Sequence, residues 1–268
     1  MITFFPMINV RDLTFAYPDG TLVFEGFNWH VGAGEAWAVL GPSGCGKTTL
    51  LYLLAGLRRP KGGEVWIGGE RLVRPRPGTG LILQDFGLLP WATVRENAAL
   101  GLRLRGFYGP DGTHAPRQAL GIPLTPSAAS AQVDPWLERL GLLPVAGNFP
   151  AQISGGQRQR TAIARTFVLA PDLLLMDEPF AALDAPTRES LQNLTLQLRA
   201  ESGLTTVIVT HTIEEAALLG KRVLLLGRLP NRETRIVENP DAGHLEFREA
   251  PSYASVCAQL RRALEAAS

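Results

Sequence analysis

The chain has 268 residues, 46% of them hydrophobic, enough for a large core in one big domain or in one domain with a subdomain. Lys and Arg total 26 against 25 Asp and Glu, and a net charge of +1 argues against a strong nucleic-acid binder, which usually shows a basic excess. Two cysteines, Cys45 and Cys257, suggest no disulfide framework and fit a reducing cytoplasm, and no apolar run approaches the roughly 18 residues of a membrane span. The opening "MITFFPMINV" has no basic n-region and is broken by Pro6, so it makes a poor signal peptide. A soluble, intracellular chain is expected, with any membrane role arriving through a partner.

In chain order, "MINVRDLTFAY" and "TLVFEGFNWHV" alternate as strands of an antiparallel sheet edge, with the turn signal "PDG" at 18–20 between them. "AWAVL" (36–40) is continuously apolar, as in a buried parallel strand, and feeds a glycine-rich loop and the apolar-faced helix "KTTLLYLLAGL" (47–57). "GEVWIGGERL" reads as a short strand pair and "TGLILQ" (79–84) as a second buried strand. Residues 106–135 are rich in Pro, Gly and Ala without hydrophobic periodicity, which predicts a long loop or poorly ordered insertion. "WLERLGLL" resumes as helix, and "SGGQ" (154–157) opens another through about Ala170, with Ser154 in its N-cap region. "PDLLLMDEP" (171–179) and "TTVIVTH" (205–211) are strands ending in chemically active residues. A helix at 186–202 with Pro186 in its first turn lies between them, and "IEEAALLG" and a last strand "RVLLLG" (222–227) follow. Strand–helix alternation implies a parallel sheet covered on both faces, interrupted over about 90–165 by an inserted helical subdomain. Residues 229–268 are too short for a separate core, and a terminal helix is expected at 252–266.

"GPSGCGKT" fits G-x-x-x-x-G-K-[ST] and lies between a buried strand and a helix, the context that this motif requires. Its glycines, Gly41, Gly44 and Gly46, let the backbone wrap a phosphate with N–H groups pointing inward. Lys47 adds a point charge for the β- and γ-oxygens, and the Thr48 hydroxyl reaches Mg²⁺. Cys45 lies at the helix N-terminus, where a thiol pKa tends to fall, unless it is simply a spacer. Asp177 and Glu178 end an apolar strand at the carboxyl edge of the sheet, where ligands of such sheets sit. Asp177 suits the metal shell, and Glu178 suits a general base polarising a water. His211 ends a neighbouring strand and can donate to the γ-phosphate; Gln84 ends another and can meet the metal or the water. "SGGQ" is a second anion cradle, with exposed N–H groups at a helix start.

Together these marks resemble the ATPase subunit of ATP-binding-cassette (ABC) transporters, over roughly residues 8–228. They run in order from an aromatic ahead of the loop (Tyr17) through Walker A (41–48) and the Q-loop Gln84 to the signature Ser154-Gly155-Gly156-Gln157. Walker B (173–178), a D-loop with Asp184 and the switch His211 complete the set. The resemblance implies an α/β P-loop NTPase fold, a RecA-like parallel-sheet core with an antiparallel β subdomain and an inserted α-helical subdomain carrying the signature. It implies one ABC ATPase domain over 1–268. Within it, the core would be 1–89 and 166–228, the helical subdomain 90–165 with its insertion 106–135, and the C-terminal extension 229–268. ATP and Mg²⁺ would be bound by Tyr17, by the whole loop (Gly41, Pro42, Ser43, Gly44, Cys45, Gly46, Lys47, Thr48 and Thr49) and by Asp177. In the family two cassettes face head to tail, so Ser154 and Gly156 would bind the γ-phosphate held by the partner's Lys47. Tyr17 would stack on adenine, and Asp184 would couple the two sites or serve only as a turn acid before Pro186.

The resemblance also implies partners: an identical or paired cassette, a transmembrane permease, and indirectly an extracytoplasmic solute-binding protein, with no nucleic acid. The chain would then sit on the cytoplasmic face of the cell membrane. Phe86, Leu88, Leu89 and Trp91 form an apolar cluster that would either receive a coupling helix of the permease or pack internally. "LLPW" resembles the importer branch serving nitrate, sulfonates and taurine. A soluble ABC ATPase without a permease and an exporter subunit are the alternatives. Ile153 stands where Leu is usual in the family, and Thr212 where Asp is common.

Overall fold

The computed structural model describes residues 7–105, 126–181 and 183–266 and divides into two units. The first comprises Met1–Arg76, Leu173–Glu178 and Gln192–Ser268; the second comprises Pro77–Asp172 and Pro179–Leu191, wider than the helical segment expected at 90–165.

The first unit is built on two sheets. Strands β1 (Ile8–Ala16) and β2 (Leu22–Val31) pair antiparallel, and β1 also pairs antiparallel with β4 (Gly62–Ile67), which carries the two-residue β5 (Glu70–Arg71) at the edge. The second sheet has β3 (Ala36–Leu40) at its centre, flanked on one side by β8 (Thr205–Thr210) and β7 (Leu173–Asp177) and on the other by β9 (Arg222–Leu225), all parallel. Every residue of β3, β7 and β8 is buried, which explains why these strands read as continuous apolar runs rather than alternating ones. Register aligns Leu40 with Thr210 and Asp177 with Val209, so the residues that follow, Gly41, Glu178 and His211, leave the sheet at one carboxyl edge.

Helices α1 (Lys47–Leu54), α6 (Ile213–Leu219) and α7 (Pro251–Glu265) belong to this unit. The strand expected to be last is not: β10 (Arg235–Glu238) pairs antiparallel with β9. Val237 of β10 and Cys257 and Leu260 of α7 share one core cluster with Ala38, Leu40, Ala216 and Val223. Residues of the stretch 229–268 thus contribute to this core. The stretch lacks a long apolar run because an edge strand buries only one face.

In the second unit β6 (Thr79–Ile82) is shorter than expected, with Thr79 and Leu81 only half-buried. Helices α2 (Val94–Arg105), α3 (Pro126–Arg139) and α4 (Gly155–Phe167) pack against one another. Residues 126–135 were expected as loop and are helix, whereas 106–125 lie outside the described residues. Ala129, Val133 and Leu137 are all buried, a repeated spacing of four that marks one helix face. Small residues and the internal Pro135 hide that face in the sequence. Helix α5 (Ala185–Ser202) begins in this unit.

Candidate functional site

The loop between β3 and α1 is shaped by glycines that no other residue could replace. Gly46 has φ 102°, and a Cβ there would stand 2.6 Å from Val23 Cγ1; a Cβ on Gly41 would stand 2.5 Å from the Leu226 carbonyl oxygen. Gly46 is also the N-cap of α1 and offers no side chain to the helix's first N–H groups, so these remain available to an anion. The Lys47 ammonium is buried and donates to the carbonyls of Gly41 (2.8 Å) and Pro42 (2.9 Å). Two neutral carbonyls hold it over the loop without cancelling its charge, which is left to attract phosphate.

Thr48 Oγ1 donates to Asp177 Oδ1 at 3.1 Å. Asp177 is 4% exposed, and burial pushes its carboxyl above the usual range, an effect that the Thr48 hydrogen bond opposes and the neighbouring Glu178 reinforces. A hydroxyl and a buried carboxylate are oxygen donors suited to a hard cation. No cluster of three or more His, Cys, Asp or Glu that could hold a metal occurs among the described residues, so further ligands would have to come from substrate and water.

Glu178 occupies the left-handed region (φ 44°), a strained conformation for a residue with a side chain, and its N–H donates to the Val209 carbonyl at 2.9 Å. Its Oε2 lies 3.0 Å from His211 Nδ1. Tyr17 Oη and Thr49 Oγ1 share a hydrogen bond of 2.7 Å, which ties the aromatic to α1, and the Arg58 guanidinium covers one face of the ring at 4.8 Å. A cleft of about 350 Å³ opens here, lined by Tyr17, Val23, Lys47, Thr48, Glu178 and Leu229 among others, Ser43, Gly44 and Thr49 included. Cys45 is buried, and desolvation raises its thiol pKa despite the helix N-terminus and nearby Lys47, which fits the spacer reading rather than a reactive thiol.

The first unit therefore brings 41–49, Asp177, Glu178 and His211 to one sheet edge, and Tyr17, which follows β1 of the other sheet, lines the cleft beside them. The second carries the remaining expected residues. Gln84 is exposed, two residues beyond β6 rather than at its end. Ser154 caps α4 in a reciprocal capping box: its Oγ accepts from Gln157 N–H (3.2 Å), and Gln157 Oε1 accepts from Ser154 N–H (2.9 Å). Gly156 is buried, and a Cβ there would lie 2.5 Å from Thr187 Cγ2, while one on Gly155 would meet Leu183 at 3.4 Å. Asp184 accepts from Thr187 N–H at 3.0 Å at the start of α5, and that hydrogen bond lowers its carboxyl pKa. The apolar cluster divides. Phe86 is buried, Leu88 and Leu89 are half-buried, and Trp91 is 74% exposed, so Phe86 takes the internal-packing alternative.

Several positioning residues escaped the sequence. Arg165 donates to the carbonyls of Gly87 (2.6 Å) and Phe86 (2.7 Å), and Asn97 bonds both the N–H and the carbonyl of Leu89. These two side chains fix the loop after Gln84. Behind β8, buried Glu215 accepts from Thr210 Oγ1 at 2.7 Å and from Gln192 at 3.3 Å, and Gln192 in turn accepts from Arg248. The one signal for this network was an acid heading the apolar run "AALL".

Comparison with known proteins points to one family. The ABC transporter family profile matches residues 24–181. The aliphatic sulfonates import ATP-binding protein of Bacillus cereus is 38% identical over 233 residues, covering 87% of this chain and 85% of that protein. The taurine import ATP-binding protein of Pelagibacter ubique is 37% identical over 253 residues, covering 91% and 89%. Among solved structures, a dimeric post-hydrolysis ATP-binding cassette with bound ADP and Pi superposes with a TM-score of 0.72 at 29% identity, covering 87% of this chain and 98% of that one. With a phosphate loop, a buried Walker acid and a capped signature helix in one chain, and relatives matched over nearly their full length, the protein belongs to the ABC transporter family as an ATP-hydrolysing cassette.

Proposed function

We propose that this chain is the energy-coupling subunit of an importer for small organic anions, of the class named for its sulfonate and taurine relatives. In this reading two copies face head to tail on two ATP molecules. The phosphate loop of one and Ser154, Gly155 and Gly156 of the other close on each triphosphate. No helix among the described residues is long and apolar enough to cross a membrane, and in this reading a permease supplies the spanning segments. The half-buried Leu88 and Leu89 and the exposed Trp91 would dock it from the cytoplasmic face, with a solute-binding protein on the far side.

The observation that carries the reading is the edge where Lys47, Thr48, Asp177, Glu178 and His211 meet. Lys47 and the loop N–H groups bind the β- and γ-phosphates and hold the reacting phosphorus in place. Thr48 and Asp177 would hold Mg²⁺, whose charge offsets that spread over the transferring phosphoryl group. Glu178 accepts the proton of the attacking water, and its strained backbone and its bond to His211 fix where that carboxylate points. His211 engages the Glu178 carboxylate through Nδ1, and the ring protonated on both nitrogens would donate its Nε2–H to the γ-phosphate.

Glu178→Gln tests the assignment. The amide keeps the shape and cannot take the proton, so steady-state hydrolysis should fall by at least about 100-fold while ATP still binds. Analytical ultracentrifugation with ATP should then show a trapped dimer. Hydrolysis at the wild-type rate would remove Glu178 from the role of base, and a strictly monomeric variant at saturating ATP would overturn the shared site.

A further inference from the structure

The loop that follows β9 enters the cleft from the C-terminal stretch, for which the motifs assign no task. Leu229 lines the cleft alongside Tyr17 and Val23 and is 38% exposed, so its side chain is available to a ligand. A triphosphate has no use for apolar surface, and the loop N–H groups and Lys47 already meet its charge. An apolar wall in the same cleft suits the nucleoside end. Val23 is 2% exposed and forms the floor rather than the wall, which leaves Leu229 and the Tyr17 ring as the apolar surfaces on offer.

Leu229 is held in place by its neighbours. Asn231 is buried, and its Nδ2 donates to the Cys45 carbonyl of the phosphate loop at 2.8 Å and to the Val23 carbonyl at 3.3 Å. Its Oδ1 accepts from Gly227 N–H at 3.1 Å, closing the loop on itself. The backbone adds two bonds to β2, Asn231 N–H to the Val23 carbonyl (2.9 Å) and Glu25 N–H to the Asn231 carbonyl (3.1 Å), and Arg232 pairs with Glu25 at 2.7 Å. A loop tied by buried hydrogen bonds to both the phosphate loop and β2 presents Leu229 on a rigid mount.

We infer that Leu229 forms an apolar wall for the nucleobase or ribose of ATP, with Asn231 as the residue that positions it. The inference rests on the cleft being the nucleotide site. The test measures the affinities of full-length wild-type, Leu229→Ala, Leu229→Met and Lys47→Ala chains for ATP and for inorganic tripolyphosphate, by competition against a fluorescent ATP analogue. Leu229→Ala should weaken ATP about tenfold and leave tripolyphosphate unchanged. Leu229→Met, similar in volume, should restore ATP binding. Equal weakening of both ligands would mean a disturbed phosphate loop, and unchanged ATP affinity would mean no contact; either result overturns the inference. Lys47→Ala separates the two claims. If it weakens both ligands while Leu229→Ala weakens neither, only the wall is wrong. If it weakens neither, the cleft is not the nucleotide site and the inference falls with it.

Discussion

Burial of Asp177 at the end of β7 makes its charge costly to the fold. Because burial raises its pKa, the folded chain holds this proton to a higher pH than the unfolded chain does. The contribution to stability is therefore lost as pH rises from the ordinary carboxylate range through the raised value, and stays lost above it. Asp177→Asn removes the charge and keeps an oxygen to accept from Thr48. It also withdraws a counter-charge from Lys47, but desolvation is the larger effect on Asp177. Differential scanning fluorimetry without nucleotide should show Tm at pH 7 raised by about 2–4 °C, with the gap to wild type closing in acid, while hydrolysis is lost. A lower Tm at pH 7 would show that the pair with Lys47 outweighs desolvation. At this scale the sequence carried most of the site, because Lys47, Asp177, Glu178 and His211 each follow an apolar run or a glycine loop whose meaning is local. What it hid was environment. The helix N-terminus argued for a lowered Cys45 thiol, and only packing shows that burial wins.

Between elements, the signature glycines have a local task besides any meeting with nucleotide. Gly156 lets α4 approach the start of α5, since a Cβ would come within 2.5 Å of Thr187 Cγ2. Gly156→Ala should therefore destabilise the chain by about 1–2 kcal/mol, net of the helix propensity that alanine adds. Thr187→Ser deletes the methyl that clashes, so Gly156→Ala/Thr187→Ser should recover wild-type urea stability. A double mutant as unstable as the single one would place the cost elsewhere. "SGGQ" announces the cap, because Ser and Gln three apart form a capping box within one turn. Nothing announces a contact between Gly156 and Thr187, two residues far apart in sequence. Helix α3 was hidden for a related reason: its buried stripe is made partly of alanine, which carries little hydrophobic signal. Strand β10 was hidden because its recognition depends on β9 being beside it.

At the scale of the whole molecule, each chain carries a phosphate loop in one unit and a capped signature helix in the other. The proposed head-to-tail dimer makes a demand that a self-sufficient chain does not. Lys47→Ala spoils the loop in both copies. Ser154→Asp sets a negative charge where the signature would meet the γ-phosphate, and the position is exposed and Asp can still cap α4, so the fold can accept the change. Neither variant alone should hydrolyse ATP. In a mixed dimer both lesions fall in the same composite site, and the other site receives an intact Lys47 from one chain and an intact Ser154 from its partner. Random pairing at equal concentration makes half the dimers mixed, so activity should return to roughly a quarter of wild type in a symmetric dimer with independent sites. The return should grow with protein concentration, because it depends on encounter between chains. If each chain completed its own site, every site in the mixture would carry a lesion and the mixture would stay silent at all concentrations.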